Sequence, residues 1–264
     1  DMVIYSIAAP RRTAPDGVTY KSVLKTTGES YTNRTIDLRN NQLMEATIEP
    51  ATDEEIHNTI KVMGGEDWIL WIKALKEAGV LADGAKTVAY SYIGPELTYP
   101  IYKEGSIGQA KKDLYASADK IQAEIDGVEA YVSVNKAVVT QSSAAIPIVP
   151  LYLAILFKVM KEQKVQEGCI EQMYRMFHDR LCNGGAVVTD ENRLIRMDDW
   201  EMEPKVQEAV AEIWQKIDQD NLEEVTDLEG YWQEFYEIFG FRIDGVDYSA
   251  DVDADVQIPS IAAE

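Results

Sequence analysis

Three short apolar runs constrain this chain more than any other feature: MVIYSIAA (Met2 to Ala9), KTVAYSYIG (Lys86 to Gly94) and AYVSVN (Ala130 to Asn135). Each is short for a helix and apolar on both alternating faces, the pattern of strands in a parallel sheet covered on both sides. Between the first and second runs lie a polar, turn-rich excursion and two helical segments, and between the second and third lies another helix, roughly Ile107 to Ile125. Strand, helix, strand in repetition predicts an α/β fold with a parallel sheet, since parallel neighbours need a crossover long enough to hold a helix.

Local signals refine this outline. Thr52 with Glu55 three residues later forms a capping box, so a helix opens there and ends near Gly64-Gly65. EDWILWIKALKEAGV (Glu66 to Val80) carries apolar residues at helical spacing. The stretch Arg11 to Ile48, rich in Thr, Asn, Arg and Gly, reads as a long loop or small hairpin over one sheet edge, where substrate loops often sit. After Ile146 the texture turns helical: Pro150 to Lys164, Glu167 to Cys182, Pro204 to Asp218 and Leu228 to Phe239, interrupted by an extended piece, Arg193 to Glu201. The longest apolar run, Ala144 to Phe157, has fourteen residues broken by Pro147 and Pro150, too short to span a bilayer, and reads as a buried loop entering a core helix. The acidic tail DVDADVQIPSIAAE lacks the Gly and terminal Glu of a calcium loop and reads as solvated.

Charge and composition narrow the partners. With 25 Lys+Arg against 46 Asp+Glu the net charge is -21, which disfavours nucleic acid or an anionic membrane as the main partner. Two cysteines, Cys169 and Cys182, and two solitary histidines, His57 and His178, do not make a metal site or a disulfide framework, so no metal is expected and a reducing compartment fits. A strand pattern from the second residue with neither signal-peptide character nor an initiating Met suggests a cytoplasmic chain that starts inside a fold.

The chemistry concentrates in VAYSYIGPELTYPIYKEGSIGQAKKDL (Val88 to Leu114), where Tyr90, Tyr92, Tyr99 and Tyr102 fall within thirteen residues ahead of Lys111 and Lys112. A phenol beside an ammonium makes a proton donor, because the cation favours the phenolate. Two pairings are open. Tyr99 and Lys103 have the Tyr-x-x-x-Lys spacing of short-chain dehydrogenases, one face of a helix, but Pro100 and Gly105 bound that helix poorly. Tyr102 and Lys111, nine apart, lie on opposite faces of any continuous helix and meet only if the chain turns between them. EGSIG (Glu104 to Gly108) supplies the turn, and Ser106 with Gln109 reads as a capping box that starts the helix at Ile107. Tyr102 then sits on the loop, Lys111 in the second helical turn, and both face the carboxyl end of the preceding strand, where open α/β sheets bind ligands.

These motifs, with VMGGEDW (Val62 to Trp68), YSIAAPRR (Tyr5 to Arg12), the stretch Val134 to Glu162 and EGCIEQMYR (Glu167 to Arg175), resemble the trans-2-enoyl-CoA reductases and the related bacterial enoyl-acyl-carrier-protein reductases. That family has a Tyr-x8-Lys active site, the spacing of Tyr102 and Lys111, and the resemblance covers nearly all 264 residues. Gln109 stands where the family often has Lys, and the family's upstream segment with its Gly-rich phosphate-binding turn has no counterpart here, so the chain resembles the carboxyl-terminal two-thirds. The resemblance implies a Rossmann-like, short-chain-dehydrogenase-like parallel sheet without its first strands over residues 1–148, with a substrate-loop insertion at about 11–50, and a helical substrate-binding or lid region over 149–264.

It also implies the reaction: NADH-dependent reduction of a trans-2-enoyl thioester of coenzyme A or acyl carrier protein, with NADPH not excluded. Tyr102 would stabilise and protonate the enolate, and Lys111 would hold the nicotinamide ribose and lower the phenol's pKa. Tyr92 would touch the acyl thioester, and Ile7, Ala8, Val139, Thr140 and Gln141 would line the nicotinamide, although Ile7, Ala8 and Val139 also read as core and Thr140 as a turn cap. Met160, Met173 and Met176 suit an adaptable acyl pocket or ordinary core, and Arg11, Arg12 and Lys25 are candidates for coenzyme A phosphates. An inactive fragment, a subunit whose partner chain completes the nucleotide-binding half, and an alcohol dehydrogenase using Tyr99 and Lys103 remain as alternatives.

Overall fold

The computed structural model describes residues 1–253. The three apolar runs become β1 (Met2–Tyr5), β6 (Ala85–Ser91) and β7 (Val128–Val134) of one sheet. Between β1 and β6 come β2 (Arg11–Thr13), β3 (Thr19–Lys21), β4 (Tyr31–Asp37), β5 (Gln42–Ile48), α1 (Asp53–Met63) and α2 (Glu66–Glu77). α3 (Ser106–Glu124) connects β6 to β7. Beyond β7 follow α4 (Val149–Glu162), α5 (Cys169–Arg175) running into a π-helical turn at Met176–Leu181, β8 (Leu194–Arg196), α6 (Pro204–Lys216), α7 (Leu222–Val225) and α8 (Leu228–Glu237).

The sheet order is β1-β6-β7-β8 and every pairing is parallel, with Ser91 opposite Val134 and Val134 opposite Arg196. β6 and β7 are buried along most of their length, as runs apolar on both faces require. β1 is only half-buried, since its outer edge has no strand beside it among the described residues. The extended piece at Arg193 to Glu201 contributes a fourth strand, β8, which the sequence pattern left unassigned because three residues carry no period. Of the loop or small hairpin expected over residues 11–48, the hairpin is what forms, twice: β2-β3 and β4-β5 are both antiparallel pairs. The acidic tail reading falls mostly outside the described residues.

Helix boundaries follow local chemistry where that chemistry is local. The Thr52–Glu55 capping box forms in both directions, and α1 closes on Gly64. Gly64 and Gly65 are there for close approach: a Cβ on Gly65 would meet the Ser117 side chain of α3, and the Gly65 N–H donates to Asp113 Oδ1 at 2.8 Å. The expected cap at Ser106 does not form. Gly105 is the N-cap, and the Ser106 hydroxyl instead donates to the Val23 carbonyl (2.6 Å) and accepts from the Lys25 N–H (3.1 Å), tying the start of α3 to the hairpin insertion. A buried serine satisfied by distant backbone has no need of its own helix N–H.

α4 is the buried axis of the helical region, with Leu151, Leu153, Ile155, Leu156 and Phe157 wholly enclosed. Its core also takes in Ile36, Ile48, Ile101 and Val139 from before residue 148. Entry to α4 passes through Ile148 at φ 74°, a left-handed conformation costly for a β-branched residue and held here by full burial and by an N–H bond to Thr35 Oγ1 at 3.2 Å. Met160 lies in this core, whereas Met176 and Met173 pack with Val88 and Ile195 in a separate cluster, so the three methionines do not share one pocket.

Candidate active site

Because all four strands are parallel, the segments after β1, β6 and β7 emerge on one edge of the sheet. That edge collects the predicted residues. Ile7 and Ala8 follow β1 and are exposed, Ile7 at 55%, so they are not core. Tyr92 follows β6. Val139 is buried in the helical-region core, while Thr140 and Gln141 are exposed. Thr140 also does the work of a turn cap, its Oγ1 accepting from the Ser143 N–H at 3.1 Å.

Tyr102 sits on the turn before α3, and Lys111 lies in the second turn of that helix. The turn is forced by backbone packing. Gly108 lets α3 close against the Tyr102 and Lys103 carbonyls, both of which a Cβ at 108 would strike. The Lys111 ammonium donates to the Tyr90 carbonyl of β6 at 3.3 Å and has no carboxylate partner among the described residues; burial lowers its pKa to about 8. An ammonium carries three donors, so two remain for acceptors such as ribose hydroxyls, and the site fits a nicotinamide nucleotide there.

The Tyr102 hydroxyl has no hydrogen-bond partner among the described residues, and its ring packs edge-on against Tyr92, with centroids 5.0 Å apart. Its pKa is raised, first by burial and second by the negative charge of Glu201. This corrects the expectation that Lys111 lowers it: here desolvation and a carboxylate decide, and the phenol is held protonated as a neutral donor. Tyr99 and Lys103 do meet, but with the Lys103 ammonium 4.0 Å over the Tyr99 ring, a cation–π contact that leaves no ammonium at the hydroxyl.

Glu201, in the segment between β8 and α6, is the site residue that sequence reasoning missed. It is fully buried; Oε1 accepts from the Tyr152 hydroxyl (2.6 Å) and the Tyr92 hydroxyl (3.1 Å), and Oε2 from the Ala137 N–H (2.7 Å). Burial raises its pKa, against the hydrogen bonds that favour the charged form. Lys136, also buried, donates to the Ala137 carbonyl at 2.8 Å. One glutamate among Asp198, Asp199 and Glu203 in an acidic chain gives no sequence signal. Of the cations suggested for phosphates, Arg12 is held by Glu66 and Asp67 and Lys25 by Glu55, while Arg11 stays exposed opposite Lys21.

An open parallel sheet with helical crossovers and a Tyr/Lys pair at its carboxyl edge defines a Rossmann-like protein of the α/β class. Residues 1–182 match the family described as the trans-2-enoyl-CoA reductase catalytic region, and residues 189–252 match the enoyl reductase FAD binding domain. The chain is 53% identical to the trans-2-enoyl-CoA reductase (NADH) of Ruminiclostridium cellulolyticum, over 99% of this chain and 67% of that protein, and 52% identical to the enoyl-acyl-carrier-protein reductase (NADH) of Flavobacterium johnsoniae over the same shares. The crystal structure of Treponema denticola trans-2-enoyl-CoA reductase in complex with NAD superimposes with a TM-score of 0.92 at 49% identity, covering 96% of this chain and 64% of that one. The chain belongs to the trans-2-enoyl-CoA reductase family. It spans about two thirds of the length of these relatives.

The second matched domain carries flavin in its description, but the residues here do not fit one. All five cations of 189–252 are paired with carboxylates: Arg193 with Asp119, Arg196 with Asp198, Lys205 with Glu203, Lys216 with Glu212 and Arg242 with Glu229. None is left for a pyrophosphate, and α6 opens behind a carboxylate, Glu203. Among the described residues no helix is long and apolar enough to cross a membrane.

Proposed function

We propose that this chain supplies the substrate-side catalytic residues for NADH-dependent reduction of the 2,3 double bond of a trans-2-enoyl thioester. The observation that carries this reading is the Tyr102 hydroxyl, held protonated by burial, without a hydrogen-bond partner among the described residues, and set on the turn before the helix that carries Lys111, whose ammonium has no carboxylate partner among them. The reduced nicotinamide supplies hydride to the β-carbon. As charge moves onto the thioester oxygen, Tyr102 donates a hydrogen bond that strengthens with that charge, and its proton is available to the resulting enolate. Lys111 holds ribose hydroxyls through its two open N–H donors. Ile7, Ala8, Val139, Thr140 and Gln141 form the nicotinamide wall, and Tyr92 borders the acyl thioester.

In this reading residues 1–148 carry the nucleotide side and 149–264 cover the acyl chain. Arg11, facing Lys21 across β2-β3, is the remaining cation for a phosphate-bearing carrier. The uncovered edge of β1 is where further strands of the nucleotide-binding half, from the same chain or a partner, would pair. A cytoplasmic location accords with such chemistry.

The test is crotonyl-CoA reduction, followed as loss of NADH, by the whole polypeptide that contains this chain. Tyr102→Phe is expected to lower kcat by about a hundredfold or more, the scale of losing one oxyanion donor, with substrate affinity within a few-fold. Near-normal turnover in a folded Tyr102→Phe protein sinks the assignment and reopens Tyr99.

A further inference from the structure

Three phenols converge beside α4, and they differ in what their single proton is doing. Tyr152 gives its proton to Glu201 Oε1 at 2.6 Å and in turn accepts from Gln207 Nε2 at 3.2 Å. Tyr92 gives its proton to the same oxygen at 3.1 Å. Tyr102 gives its proton to no group among the described residues, and its ring is held edge-on at 89° against that of Tyr92. The collecting carboxylate is fixed from every side: Oε2 takes the Ala137 N–H at 2.7 Å, and Gln207 Nε2 holds the Glu201 backbone carbonyl at 2.7 Å. It forms no ion pair with the neighbouring Lys136, whose ammonium is turned to the Ala137 carbonyl. Both carboxylate oxygens accept from donors, and these hydrogen bonds favour the charged form against the burial that raises its pKa.

We propose that Glu201 is a positioning residue for enoyl-thioester reduction: by taking the protons of Tyr92 and Tyr152 it locks the Tyr92 ring that orients Tyr102, and it leaves Tyr102 as the one phenol of the three free to donate to the thioester oxygen. The inference rests on the reaction proposed above. It gives Glu201 no contact with substrate. Its orienting influence runs through Tyr92 and is distinct from the charge by which it also raises the Tyr102 pKa, and that makes it separable from a general structural role. A buried carboxylate that merely supports the fold lowers activity whatever residue stands at 92; one that orients through the Tyr92 hydroxyl loses that part of its effect once the hydroxyl is gone, and only the smaller effect of its charge remains.

The experiment is a double-mutant cycle on kcat/KM for crotonyl-CoA in the whole polypeptide, with NADH affinity measured alongside by fluorescence. Glu201→Gln keeps the shape but cannot accept from both tyrosines and from the Ala137 N–H together, and it is expected to lower kcat/KM about tenfold. NADH affinity should stay within about twofold, because Lys111 lies outside the network. In a Tyr92→Phe background the same substitution is expected to cost less than about threefold. Losses at 92 and 201 that multiply, or an unchanged kcat/KM in Glu201→Gln, overturn the assignment while leaving the reaction standing. An unsubstituted protein that does not reduce crotonyl-CoA, or a Tyr102→Phe protein that keeps its rate, overturns the reaction and Glu201's part in it together. Should Glu201→Gln fail to fold, Tyr152→Phe completes the cycle: a several-fold loss with Tyr92 present and none in Tyr92→Phe supports the network, and equal losses in both overturn it.

Discussion

Lys111 shows how one residue is held against its own preference. Its ammonium is buried beside a carbonyl with no counter-charge, so the folded state releases its proton near pH 8 instead of the ordinary 10.5. Between those values the unfolded chain holds a proton that the folded chain does not, so stability contributed through this group rises with pH across that window. Below about pH 8 the buried charge is a cost. Lys111→Met is therefore expected to raise stability at pH 7 by about 1 kcal/mol or more, while weakening NADH binding at least tenfold. In the unsubstituted protein the KM for NADH is expected to climb above pH 8 as the ribose-holding charge is lost. A flat KM between pH 7 and 9 contradicts that role. The spacing in the sequence offered two tyrosine–lysine pairings, and the resemblance to the reductase family singled out Tyr102 and Lys111. That reading misjudged the tyrosine's pKa because burial first, and then the charge of Glu201, distant along the chain, raise it, and neither can be read from the neighbouring residues.

At the level of elements, the junction between β6 and α3 decides where Tyr102 stands. Two effects of Gly108→Ala oppose each other. Replacing a helical glycine ordinarily stabilises by about 0.5–1 kcal/mol, but the new Cβ strikes the Tyr102 and Lys103 carbonyls, which are backbone and cannot swing aside. Overpacking of that kind costs about 1–3 kcal/mol, so the clash wins. Gly108→Ala is expected to destabilise by about 1–2 kcal/mol in urea denaturation and to lower kcat more than it raises KM, because it displaces the donor. Ser106→Ala acts differently. It leaves the Val23 carbonyl and Lys25 N–H without partners, and a loss of about 1–3 kcal/mol follows from the unsatisfied groups. A cap-sized loss confined to α3, with the hairpin insertion unmoved in amide exchange, contradicts the tether. Such a tether is invisible to a window of neighbouring residues, which sees a serine three before a glutamine and reads a capping box.

Over the whole molecule, one core reaches across the expected division at residue 148. Ile36, Ile48, Ile101 and Val139 pack in the same cluster as Leu151, Leu153 and Phe157 of α4. Expressed apart, residues 1–148 and 149–264 each expose one side of that cluster, and neither is expected to give a cooperative thermal transition; mixed, they should regain one. Independent sharp transitions for the two pieces contradict a shared core. The reach of this core also explains how the site is completed from residues distant along the chain: Tyr92 and Tyr102 precede the division, Tyr152 and Glu201 follow it, and α4 is the element on which they meet.

Strand and helix identities, the parallel sheet, the Thr52 cap and the Tyr102/Lys111 spacing were determined by the sequence itself, because each depends on residues within a turn or two of one another or on the solvent contrast between faces of one element. The fourth strand, the two hairpins, the tether at Ser106, the cation–π fate of Lys103 and the Glu201 network were decided only by tertiary structure. Each depends on groups far apart in the chain, whose hydrogen bonds and desolvation exist only after the sheet and α4 have brought them into contact.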